Sequence, residues 1–219
     1  MTSTVLLLWA KGPGFAIACV LFLAGVAMRL AEILWLGRRA DRSAARGSAG
    51  GQALRTVFTR FLPAPGLVAR APVVHIGGWV FHLGLFVVVF LYGPHIAVVT
   101  GISGLRWPGL PTGAVDGATM LTVAALVALL AARFKDPVKR LLTTGADHLA
   151  WGLTMLPLLT GLAAVNRVGL PFETLLALHL LSVELLLALL PFTKLMHAVT
   201  FVLARSYAGA IAGRKGAHS

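Results

Sequence analysis

The chain has 219 residues, of which 58% are hydrophobic and only 12% charged, and its mean hydropathy is +0.88. A soluble domain of this size has no need of so much apolar surface, so the composition excludes an ordinary globular enzyme and indicates a polytopic membrane protein. The net charge of +12 would suit nucleic acid, but the placement of the basic residues, set out below, argues against that partner.

Five stretches are long enough to span a bilayer, near 14–36, 73–100, 115–133, 146–165 and 172–204. The expected fold is an all-α, five-helix transmembrane bundle forming one domain over 1–219. The apolar core of the first span is longer than about twenty residues, and no small-residue cleavage site follows it, so it reads as a span rather than a cleaved signal. Instead the basic segment GRRADRSAARGSAGG follows at 37–51, a stop-transfer flank. Next, GQALRTVFTRFL places Leu54, Val57, Phe58, Phe61 and Leu62 at helical spacing, with Arg55 and Arg60 on other faces. That pattern predicts a short amphipathic surface helix near 52–62, closed by PAPG at 63–66.

The second span, VVHIGGWVFHLGLFVVVFLYGPHIAVV, carries His75, His82 and His95. GISGLRWPGLPTG leads from it to the third span, and RFKDPVKRLLTTGAD joins the third to the fourth. Asp116 and Asp147 fall where helix caps belong. Trp35, Trp79, Trp107 and Trp151 lie near expected interfaces, as an aromatic belt requires. No internal repeat marks an inverted-repeat transporter.

Basic residues are unevenly divided between the two sides. Arg38, Arg39, Arg42, Arg46, Arg55, Arg60, Arg70, Arg133, Lys135, Lys139, Arg140, Arg205, Arg214 and Lys215 fall on one, against Lys11, Arg106 and Arg167 on the other. This asymmetry predicts the N-terminus outside and the C-terminus in the cytoplasm, in a multi-pass protein of the cell inner (cytoplasmic) membrane. The basic excess then reflects orientation and lipid-headgroup contact, not nucleic acid.

Within the spans, histidine is the residue type that asks for an explanation. An intramembrane histidine is costly unless paired, hydrogen-bonded or ligated. His179 and His197 lie eighteen residues apart in the fifth segment, five turns of an ideal helix and about 27 Å of rise, close to the ~30 Å hydrocarbon thickness. Facing helices with paired histidines at two depths suit two stacked haems, whose iron takes axial nitrogen donors. Antiparallel topology pairs His95 with His179 at the outer level and His82 with His197 at the inner. His75 is the alternative inner ligand, or a propionate partner. Gly93-Pro94 is expected to kink the second helix and re-aim His95, and Pro191 to bend the fifth. Gly77, Gly78 and Gly84 would admit either a flat macrocycle or a close helix. Glu184 admits two readings, a neutral structural residue or a proton relay. His148 reads as interfacial, and His218 lies in the tail. Cys19 is the only cysteine, so this chain alone builds neither a disulfide nor an Fe–S cluster.

LHLLSVELLLALLPFTKLMH at 178–197 resembles the last-helix motif of the gamma subunit of respiratory nitrate reductase and its relatives. FHLG at 81–84 and TTGAD at 143–147 resemble two further motifs in matching order. The resemblance implies a membrane subunit with two haems b that oxidises quinol and passes electrons to cytoplasmic Fe–S and catalytic partners. It assigns His82, His179 and His197 as ligands. The family's fourth ligand aligns with Tyr92, so here it is displaced to His95 or replaced by His75. A quinol site is expected near the outer haem, at Tyr92, His95 and the Arg106–Trp107 loop, with protons released outside. The rival reading is a haem-free membrane anchor or small transporter whose histidines are structural or line a proton path.

Overall fold

A computed structural model describes residues 2–36, 44–63 and 66–217. Arg38, Arg39 and Arg42, the Ala64–Pro65 pair of the PAPG turn, and His218 lie outside the described residues. Among those described, the structure is all-helical. The elements in order are α1 (Ser3–Trp9), a π turn (Ala10–Gly14), α2 (Phe15–Trp35), α3 (Ala49–Thr59), α4 (Leu67–Arg70), α5 (Pro72–Leu91), α6 (Gly93–Ser103), α7 (Thr112–Lys135), α8 (Pro137–Leu142), α9 (Gly145–Val165), α10 (Phe172–Leu189) and α11 (His197–Arg214). Six helical stretches are long and apolar enough to cross a membrane: Ser3–Trp35, Pro72–Leu91, Thr112–Lys135, Gly145–Val165, Phe172–Phe192 and Lys194–Arg214. Their outward faces carry bare apolar side chains such as Leu23, Leu83, Phe86 and Leu121, a surface that lipid satisfies and water does not.

Two expected spans are interrupted. The second breaks at Tyr92, whose extended backbone (φ −85°, ψ 124°) separates α5 from α6, in line with the kink expected from Gly93-Pro94. The fifth is not one helix: 3₁₀ turns at Leu190–Phe192 and Lys194–Met196 flank Thr193, which is extended (φ −119°, ψ 176°). Proline has no N–H to give to the carbonyl one turn back, and its ring crowds that carbonyl. Pro191 therefore ends α10 instead of merely bending it. His179 and His197 consequently stand on different helices, and the five-turn spacing on one face does not apply to them.

The chain divides into two compact units, Met1–Phe15 with Pro65–Leu186, and Ala16–Ala64 with Leu187–Ser219. In the first, α5 packs on α7 so closely that a Cβ at Gly84 would collide with the Thr122 hydroxyl and one at Gly77 would sit 3.4 Å from Leu129. Both glycines serve helix packing, and of the three Gly78 alone faces open space. Leu126, Met155 and Leu158 form the buried core between α7 and α9, flanked by Phe81, Leu85 and Trp151. The Trp151 indole donates to the Leu126 carbonyl at 3.1 Å. Trp151 thus ties two helices together, whereas Trp35 and Trp79 are exposed as belt residues should be.

Asp147 meets its expectation: its carboxylate accepts from the Thr144 N–H (3.0 Å) and hydroxyl (2.9 Å), a capping box at the start of α9. Asp116 does not cap α7, which begins at Thr112 without a side-chain cap. The cap missing from the sequence reading is Asp136, which accepts from the Val138 and Lys139 N–H groups at 3.0 and 3.2 Å. The Lys139 side chain, bonded to the same carboxylate at 2.9 Å, is the main cause holding Asp136 below the usual carboxylate range. A depressed folded-state value means the cap is intact above the unfolded carboxylate's titration near pH ~4 and is lost as pH falls through the folded one. Acidification below that range is expected to lower the protection of the Val138 and Lys139 amides relative to their intrinsic exchange rates, a sensitivity absent in Asp136→Ala.

In the second unit, α3 lies along α11. Gln52 and Thr56 are buried, and a Cβ at Gly209 or Gly213 would collide with them. Leu54 and Phe58 of α3 are exposed, so the helix presents apolar side chains outward and a small polar face to α11. Arg205 donates to the Val57 carbonyl (3.1 Å) and covers the Phe61 ring, 4.3 Å from its centroid. Gly25 on α2 admits Pro191 and Phe192, and Arg29 donates to the Pro191 carbonyl at 3.2 Å while paired with Glu32 at 2.8 Å. Arg29 thereby satisfies an acceptor left over at the helix break.

Candidate functional site

The break at Tyr92 frees carbonyls at the end of α5, and each finds a specific donor. Pro94 cannot serve the Phe90 carbonyl, so the Trp107 indole donates to it at 2.6 Å. The Leu91 carbonyl accepts from the Leu110 N–H at 2.8 Å. The Val88 carbonyl lies 2.8 Å from His95 Nδ1, seven residues on, a reach that an unbroken helix does not permit. Trp107 is therefore a fastener of the kink as well as an interface aromatic. Gly109 lets its loop approach: a Cβ there would sit 3.1 Å from the Leu91 carbonyl.

The kink delivers His95 to His179 on α10. Their ring centroids are 6.1 Å apart and their planes 17° from parallel. His179 is anchored from a third helix: its Nδ1 lies 3.1 Å from the Pro157 carbonyl and 3.4 Å from the Thr160 hydroxyl. Thr160 in turn shares a hydrogen bond with Ser182 at 2.9 Å. Gly161, one turn beyond Pro157, leaves the space that the ring occupies, since a Cβ there would approach His179 Cε1 to 3.0 Å. Tyr92 meets His95 edge-on at 5.1 Å between centroids.

A backbone carbonyl only accepts, so an Nδ1 bonded to one carries the proton and Nε2 keeps its lone pair. That holds for His95 and His179, and also for His75 (Ala71 carbonyl, 2.9 Å), His82 (Gly78 carbonyl, 2.7 Å) and His197 (Lys194 carbonyl, 2.8 Å). Such outer anchoring fixes the tautomer and aim of a metal-binding imidazole. Two metal–imidazole bonds of about 2.0–2.1 Å, with about 1.1 Å from each nitrogen to its ring centre, set centroids roughly 6–6.5 Å apart. The His95–His179 centroid separation falls in that range, with the ring planes near parallel. No cluster of three or more histidine, cysteine or acidic side chains suited to a metal occurs among the described residues. A haem iron asks for only two protein donors, the macrocycle supplying the rest.

The remaining expected ligands fall in both units. His82, exposed on α5, and the half-buried His75 belong to the first unit, and the exposed His197 to the second. His148 is exposed and stacked on Phe134 at 5.6 Å, an interfacial residue as expected. Beside the outer pair, a cleft of about 470 Å³ is lined by Gly93, Ile96, Ala97, Thr100, Arg106 and Trp107. The groove is open, and Arg106 is its cation. Tyr92 stands at the head of the same helix.

A protein of Nitratidesulfovibrio vulgaris (strain Hildenborough) is similar to this chain, 32% identical over 140 residues. The match covers 64% of this chain and 62% of that protein, whose name states no activity. No protein-family model and no solved structure matches the chain.

Proposed function

We propose that the chain is a dihaem b-type cytochrome, the membrane subunit of a respiratory oxidoreductase that exchanges electrons between the quinol pool and a partner redox subunit. The observation that carries this reading is the outer histidine pair: two imidazoles 6.1 Å apart, each with Nδ1 tied to a carbonyl. His95 and His179 would hold the outer haem, and the resemblance, not a site seen here, would give His82 and His197, or His75, to the inner one. When bound, the haems supply one-electron redox chemistry and a conducting path through the bilayer.

The topology belonging to this reading has five spans, the N-terminus outside and the C-terminus in the cytoplasm of an inner-membrane protein. Arg205 favours it, since a sixth span over Lys194–Arg214 would hold that guanidinium mid-membrane, a costly position. With α11 on the cytoplasmic side, Arg205, Arg214 and Lys215 join the basic face that suits lipid headgroups and a docked partner. The cleft at Gly93–Trp107 is the quinol site: Arg106 would orient a quinone oxygen and the Tyr92 phenol would exchange a proton with it. Oxidation there releases protons outside, and electrons pass inward to a cytoplasmic Fe–S or other redox subunit, because a chain with Cys19 as its sole thiol builds no cluster alone. The nitrate-reductase-like motifs support the same assignment, with the terminal acceptor set by the partner.

The test is addition of a short-chain quinol to the purified oxidised protein. Rapid reduction of a b-type absorbance, slowed at least tenfold in Arg106→Ala, is expected. A haem-loaded protein indifferent to quinol would rule out the quinol site.

A further inference from the structure

One carboxylate interrupts the apolar length of α10. Glu184 is 6% exposed, and its Oε1 has no hydrogen-bond partner. The chain facing it is the π turn, where a Cβ at Gly14 would come within 2.9 Å of Glu184 Oε2 and collide with the Trp9 ring. Eleven residues earlier on α10, Glu173 accepts from the hydroxyls of Ser3 and Thr4 at 3.4 and 3.2 Å. The N-terminal helix therefore follows α10 and meets a carboxylate at each end. The outer one is satisfied by two hydroxyls, whereas the inner has an oxygen with no partner. Eleven helical residues are about 16 Å, half the hydrocarbon thickness. π turns are frequent at functional sites, and the glycine in this one brings backbone directly against the acid.

Charged and titratable groups around Glu184 are few. On the facing segment Lys11 is exposed, and α1 carries no charge. On α10, Glu173 lies three turns outward and His179 five residues back. On α9, Asp147 is engaged by Thr144 and Arg133 and His148 by Phe134, all at the first turn, and His95 stacks on His179. Among the described residues no fixed cation is paired with this carboxylate, which leaves a proton or a nearby changing charge to neutralise it.

We propose that Glu184 is a proton-holding site of the membrane interior, coupled to the haem on His179. The proposal rests on the dihaem reading. Glu184 would hold one proton while the haem on His179 is reduced and give it up on reoxidation, so that the charge in this part of the membrane would be balanced. Quinol supplies proton and electron, losing two electrons and two protons on oxidation to quinone. The five residues between His179 and Glu184 are about 7.5 Å of helix rise, a range over which a unit charge acts strongly in a poorly polarisable interior.

Reduced-minus-oxidised infrared spectra of the whole purified chain test this, with haem counted on the same samples. In the unmodified protein a protonated-carboxyl C=O band is expected to grow on reduction, and one haem potential to fall with rising pH by one proton per electron. Glu184→Gln should keep two haems, lose the band and lose that slope. Glu184→Asp should shift the band without removing it, which provides the test if the glutamine variant does not assemble. A band and slope unchanged in both variants would overturn the proposal while leaving the cytochrome reading intact. A colourless protein would overturn both.

Discussion

Replacing His179 by alanine is expected to lower the haem content from two per chain to one. The surviving haem should be the inner one, with one b-type redox component missing from the potentiometric titration. His95→Ala should give the same result, because on the proposed reading each imidazole would supply one of the two axial donors. His148→Ala is the matched control: it is exposed, stacked on Phe134, and should leave both haems in place. Two haems in His179→Ala, counted by pyridine haemochrome against protein mass, would remove the outer pair from the ligand set.

A second large effect is expected at a residue that touches no cofactor. Gly161→Val should weaken binding of the outer haem about 10- to 100-fold, the usual loss when the support of a metal ligand is disturbed. The added side chain would enter the volume of the His179 imidazole. Repacking around it costs about 1–3 kcal/mol, least where the ring swings off the Pro157 carbonyl. Gly152→Val, on the same helix but facing open space, should bind both haems normally. Equal haem affinity in the two variants would show that the Pro157–Gly161 seat does not aim His179.

These variants also mark where the sequence could and could not be read. The fourth span, expected at 146–165, is Gly145–Val165, because its apolar run is bounded by a capping box whose residues are adjacent in the chain. The break at Pro191 was legible only as a bend. What separates α10 from α11 is the extended Thr193 and an Arg29 donor from a distant helix, and neither leaves a trace in local periodicity. His95 posed the opposite problem. Thirteen residues beyond His82, it would face another way on an ideal helix, and the Gly93-Pro94 signal announced a kink without its direction. The direction comes from the Val88 carbonyl and the Trp107 fastener, both products of the broken ladder. Gly77 and Gly84 turned out to admit α7, because small residues mark close approach without naming what approaches. Pro157 and Gly161, one turn apart on one face, were the available sign of the His179 seat, in a span where the histidines drew attention elsewhere. The inner ligand set stays with the resemblance and the helix order, since His82 and His197 lie in separate units.

The cytochrome reading stands or falls on a dithionite-reduced minus oxidised spectrum of the detergent-purified chain, with haem counted per polypeptide. Two b-type haems per chain are predicted. A colourless protein would contradict the account and return the histidines to structural or proton-path roles in a haem-free membrane anchor or small transporter.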